Sequence, residues 1–223
     1  FNDIARCYLI SKTNNIKIST SLGTVFSERI FDLISLLILS AIFILIEFDL
    51  FYGFIENYVL SNIEFNTTTY LLIFGPLIVL FFILRYFSKK SSFISSNLNE
   101  FKLGVLTIKE NYKNKGFLIS TFLLWLIYFL MGYVIFFSFN ETTDLGVNAG
   151  IAVLVAGSIG MIVPVNAGIG AYHFLVASIL LSYNLDYESG LFFATLLHTS
   201  QIVCLAILGI ISSIILFFKI KSN

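Results

Sequence analysis

Three short stretches hold polar and ionisable residues in a chain otherwise built from apolar side chains. The first is MIVPVNAGIGAYHF, residues 161–174. Pro164 removes a backbone donor and disfavours helix at Val163. Gly168 and Gly170 allow backbone angles that other residues resist. A helix that breaks here and restarts presents unpaired N–H groups at its new N-terminus, and such half-helix ends attract anionic groups. Asn166 and His173 stand beside that restart. The plainer alternative is a tight turn between packed helices, with Gly150, Ala156, Gly157, Ser158 and Gly160 serving close approach.

The second stretch is FSERIFDLISLL, residues 26–37. Glu28 and Asp32 are four apart and Arg29 and Asp32 three apart, so on a helix they share a face. Charges at the start of an apolar run are costly, usually paired, and often mark a pathway. An interfacial cluster that fixes the helix end accounts for them equally, and Arg6 is placed to join it. The third stretch is LLHTSQIV, residues 196–203, where His198 and Gln201 can face a bundle interior together. Interhelical hydrogen bonding, about 1 kcal/mol per contact, competes there with a role in contacting substrate.

These residues must be positioned by membrane helices. The chain of 223 residues is 58% hydrophobic and 12% charged, and a soluble domain carries about twice that charge. A bilayer core needs about 20 apolar residues per helix. The pattern predicts an all-α, polytopic transmembrane helix bundle with spans at about 30–54, 70–87, 117–139 and 190–218. Between them lie two shorter apolar pieces, about 147–163 and 168–183. At 1.5 Å per residue each covers about 25 Å, so 147–183 reads as a broken or re-entrant helical pair. Phe1 in place of Met reads as the interior of a longer chain. Cys7 and Cys204 are too far apart in sequence and setting to suggest a disulfide framework or a metal site.

Zero net charge hides an asymmetry. All 13 Lys and Arg fall in residues 1–29, the segment 85–116 and the C-terminus, while the loops near 55–69, 140–146 and 184–189 hold acidic residues and no basic ones. Basic segments mark the cytoplasmic side, so the basic regions and the C-terminus are expected inside and the three acidic loops outside. Within the middle basic segment, Phe93, Leu98, Phe101, Val105 and Ile108 recur at helical spacing. Residues 88–116 therefore read as a cytoplasmic amphipathic segment, lying either on anionic lipid or against the bundle.

The ERIFD and PVNAGIG stretches, with Asp3 and Arg6 of FNDIARCYLIS ahead of them, give the chain a resemblance to a known family. It resembles the lysylphosphatidylglycerol synthase transmembrane-region family, the flippase-like proteins that include the lipid-translocating domain of the bacterial multiple peptide resistance factor. The likeness covers essentially the whole chain, as one transmembrane domain. It departs at Asn166 and Ala167, where relatives carry glycine, and at His173, near the place of a usual glutamate. The resemblance implies about two helices ahead of Phe1 and a location in the bacterial cytoplasmic membrane. It also implies a protein that binds a phospholipid or lipid-linked head group and moves it between leaflets. Residues expected at such a lipid site are Arg6, Glu28, Arg29, Asp32, Asn166, Gly168, Gly170, His173, His198 and Gln201. The expected ligand is a lipid with an anionic or zwitterionic head group; a lipid-modifying enzyme and a second copy of the chain are further candidate partners. No cofactor, metal or nucleic acid is expected. Without D-x-D, H-E-x-x-H or a Gly-rich phosphate loop, autonomous catalysis is disfavoured. The alternative function is a membrane-embedded subunit or accessory of a lipid-modifying transferase.

Overall fold

The computed structural model describes residues 3–4, 6–8, 11, 16–56 and 92–222. The span expected at 70–87 lies outside the described residues. Every regular element among the described residues is helical. They are α1 (Ile18–Ile46), α2 (Phe48–Ile55), α3 (Ser92–Leu106), α4 (Ile108–Asn111), α5 (Lys115–Phe136), α6 (Val147–Ile162), α7 (Ala171–Leu181) and α8 (Tyr187–Ser222), with a 3-10 turn at Asn166–Gly168. By length and hydropathy α1, α5 and residues Tyr187–Ser212 of α8 can each cross a membrane. The chain is an all-α membrane helix bundle. It forms two compact units, residues 1–37 with 57–124 and residues 38–56 with 125–223.

In the first unit α1 begins well before residue 30, where the apolar run suggested. Residues 18–29, ISTSLGTVFSER, are too polar for a hydropathy window to register. They are helical because they pack on α3. Gly23 and Gly104 meet backbone to backbone: a Cβ on Gly23 falls 2.9 Å from the Gly104 Cα, and one on Gly104 falls 2.8 Å from the Gly23 Cα. Phe26 and Phe101 pack beside this crossing with ring centroids 5.6 Å apart. Asn111 donates to the buried Ser27 hydroxyl at 3.4 Å. In this unit α3 thus packs against α1.

In the second unit α2 follows α1 after an interruption at Glu47 (φ −125°, ψ 49°), so the expected helix 30–54 is two helices. The Glu47 carboxylate accepts from the Asn148 amide at 2.8 Å. α5 presents Phe129 and Tyr133 to Gly150 of α6, and Phe136 and Phe193 stack edge-on at 4.8 Å in the buried centre. α7 is the most buried element. It packs against both α6 and α8, and Val176, Ala177 and Leu180 are fully buried. Gly190 of α8 leaves room for Ala177, since a Cβ there would sit 3.2 Å from the Ala177 Cα.

Candidate functional site

The break between α6 and α7 is built from local sequence. α6 ends at Val163 (φ −59°, ψ 131°), the extended conformation that a following proline imposes. Val165 donates to the Val163 carbonyl at 2.7 Å, closing a three-residue turn. Gly168 then takes φ +69° and Gly170 φ +89°, left-handed angles that explain why both positions are glycine. A Cβ on Gly168 would also meet the Met161 sulfur at 2.6 Å. The chain reverses tightly enough that Gly160 lies on the backbone of Tyr172 and Gly157 on its ring. The small residues of α6 thus serve close packing beside the break.

The restart of α7 is not left open. His173 reaches back and its Nδ1 accepts the Gly170 N–H at 3.4 Å. This is the return half of a capping box, a place more often held by Glu or Gln. A neutral imidazole that accepts on Nδ1 carries its proton on Nε2. The expected free N-terminal donors are therefore fewer by one, and the side chain that removes it is the histidine singled out beside the break. Asn166 is exposed; its carbonyl accepts from Ile169 at 3.1 Å.

Packing of α7 on α8 brings together two residues that the sequence left apart. The His198 ring stacks on Tyr172 with centroids 4.6 Å apart and lies 5.1 Å from the ring of His173. His198 is 3% exposed, and its buried Nε2 has no hydrogen-bond partner among the described residues. Gln201 is half-buried one turn further along α8, and none of the described contacts joins it to the histidine pair. Pairing of two histidines across helices is a tertiary event, and no spacing along the chain signals it.

The charged residues form a second site, within the first unit. Arg6 holds both oxygens of Glu28 at 2.6 Å. Arg29 holds Asp3 at 2.9 and 3.1 Å through Nη2, and Asp32 at 2.9 Å through Nη1. Two guanidinium groups face three carboxylates, a formal charge of −1. All five side chains are part-exposed. Asp3 completes the network, and a long-range contact between Arg6 and Glu28 does what helical spacing could not. A further pair escaped the sequence. Lys17 donates to Glu100 at 2.6 Å and Thr20 to its other oxygen at 3.1 Å. Lys17 and then Thr20 hold the Glu100 carboxyl below the usual carboxylate range.

Comparison with known proteins agrees with this architecture. The family model described as the lysylphosphatidylglycerol synthase TM region matches residues 2–209. A UPF0104 membrane protein of Methanocaldococcus jannaschii is 31% identical over 201 residues, covering 88% of this chain and 81% of the relative. No solved structure matches.

Proposed function

The chain belongs to the lysylphosphatidylglycerol synthase transmembrane-region family, and on that premise we propose that it binds a membrane lipid by its head group and carries it between leaflets. One observation carries this reading: irregular backbone at residues 163–170 joins two apolar helices, and Val163, Val165, Asn166 and Ile169 along it are exposed, Ile169 to 62%. Such backbone at membrane depth needs protein, water or head groups around it. α7 has 11 residues, about 16 Å of helix, and a hydrocarbon core is about 30 Å thick. That length favours a hairpin that dips into the bilayer and returns over two complete crossings.

The Arg6–Glu28 and Arg29–Asp3–Asp32 network suits a zwitterionic head group. Its guanidinium groups can turn from their carboxylates toward a phosphate, and the released carboxylates then meet an amine. A purely anionic head group finds a site whose positive charge is already outnumbered. The charge asymmetry of the sequence supports basic segments on the cytoplasmic side.

The test is transbilayer movement of fluorescent phospholipids in proteoliposomes. Movement above that of protein-free vesicles, lowered at least about tenfold by Arg29→Ala and partly kept by Arg29→Lys, supports the reading. An inert protein, or one indifferent to both substitutions, overturns it. Copurification of such an inert protein with a lipid-modifying enzyme would replace it with the accessory role.

A further inference from the structure

We propose that His173 and His198 form a proton-binding latch, in which the neutral pair holds the break between α6 and α7 closed and uptake of one proton opens it. The starting point is the chain of donors and acceptors. Gly170 N–H donates to His173 Nδ1, which leaves the proton of neutral His173 on Nε2. The Nε2 of His198 is buried and has no hydrogen-bond partner among the described residues. A linear N–H···N bond of about 2.9 Å between two imidazoles separates their centroids by about 5.2 Å. The observed separation is 5.1 Å, with the rings inclined at 56°. The two rings thus stand at the separation that a relay from Gly170 N–H through His173 to His198 requires. Completing it also relieves the cost of a buried unpaired nitrogen.

An added proton has no free place in that relay. On His173 Nδ1 it turns the acceptor of the Gly170 N–H into a donor, and the cap of α7 is lost. On His198 Nε2 it sets two N–H groups against each other and the bridge between α7 and α8 is lost. Either way one link breaks at the restart of the helix. Among the described residues, the helices around the pair offer the new charge no compensation. α6 contains no ionisable side chain, and α7 contains only Tyr172 and His173. α5, whose Gly132 meets Leu197, has no acidic residue; Tyr128 and Tyr133 are its ionisable groups in this unit. On α8 the ionisable groups besides His198 are Tyr187, Glu188, Cys204, Lys219 and Lys221. The nearest carboxylate in that helix, Glu188, lies about 15 Å along the axis. A buried cation without a counter-charge is costly, so the charged pair is stabilised by opening toward water or toward the phosphate of a head group.

The chain has two histidines, so nitrogen-15 histidine labelling of a protein without a histidine tag reports this pair alone. The expected spectrum in lipid nanodiscs at high pH shows His173 protonated on Nε2 and His198 on Nδ1. On acidification the signals of the two rings should change together, as expected of a coupled pair. Amide exchange of the 163–175 segment, corrected for intrinsic rates, should rise about tenfold or more with that change. His173→Gln keeps a non-titrating acceptor for the Gly170 N–H and should hold exchange low at every pH. His173→Ala should leave it high at every pH. Opposite tautomers, independent titrations, or exchange that stays flat with pH in the wild-type protein would overturn the proposal. The readout requires no lipid movement, so its failure is distinct from a failure of the transport reading.

Discussion

Replacing Gly104 by Ala is expected to pry α1 and α3 apart. The added Cβ meets the Thr20 carbonyl oxygen and lies 2.8 Å from the Gly23 Cα and 2.9 Å from its carbonyl carbon. All three neighbours are backbone atoms of α1, so no side chain can rotate away. The helices must separate by the better part of an ångström. Overpacking costs about 1–3 kcal/mol, and the upper half of that range applies because nothing soft gives way. Separation also loosens the Phe26–Phe101 contact and the hydrogen bonds to Glu100. For a chain of this size 2–3 kcal/mol corresponds to a fall in Tm of about 4–12 °C. The assay is unfolding in mixed micelles, followed by circular dichroism. Gly53 and Gly209, helical positions with open space around the site of a Cβ, are the controls. Their alanine variants should match the wild type or gain up to about 1 kcal/mol from helix propensity. Gly23→Ala should cost about as much as Gly104→Ala, and the double variant less than their sum, since helices already parted admit the second methyl. A Gly104→Ala protein as stable as Gly53→Ala would refute the close crossing.

Gly160→Ala should loosen the hairpin by about 1–3 kcal/mol, because the new Cβ falls 2.6 Å from the Tyr172 Cα; faster amide exchange in α7 with little change in α1 is the expected signature. The Glu100 carboxyl lies below its usual range in the folded protein, held there by Lys17 and Thr20. Its contribution to stability is therefore present above the unfolded carboxylate value and is lost as pH falls through the lower folded value. Glu100→Gln should abolish that part of the acid dependence of Tm. Asp186 accepts the Ser189 N–H at 2.9 Å at the start of α8, and its carboxyl is likewise lowered, first by that bond. Asp186→Ala should lower Tm while Asp186→Asn largely preserves it.

What could be read in advance was what one dimension encodes. Apolar runs located α5, α6, α7 and α8 to within a few residues, and Pro164, Gly168 and Gly170 located the break, because those residue types act on their own backbone. The start of α1 was missed since residues 18–29 become helical by tertiary packing through Gly23, and one glycine among polar residues carries no mark of the helix it will meet. The interruption at Glu47 was likewise hidden inside a stretch that is largely apolar on both sides, and it is accompanied by a hydrogen bond from Asn148, 101 residues away. At the candidate sites, helical spacing found the Arg29–Asp32 pair. The Arg6–Glu28 pairing and the meeting of His173 with His198 depend on how distant segments pack. Spacing on separate helices does not report that.

The crossing of α1 and α3 also has a consequence for biogenesis. Thr20 and Glu100, which meet beside it, are 80 residues apart. At a synthesis rate of about 5–20 residues per second, α1 leaves the ribosome about 4–16 s before α3 can reach it. During that interval the face around Gly23, with Ser21 and Ser27 that end up buried, has no α3 to cover it. The nascent chain must pass through a stage in which a polar helical face waits at the insertion machinery. That stage gives holding factors their opportunity, and a Gly104 variant that closes the crossing slowly would prolong it.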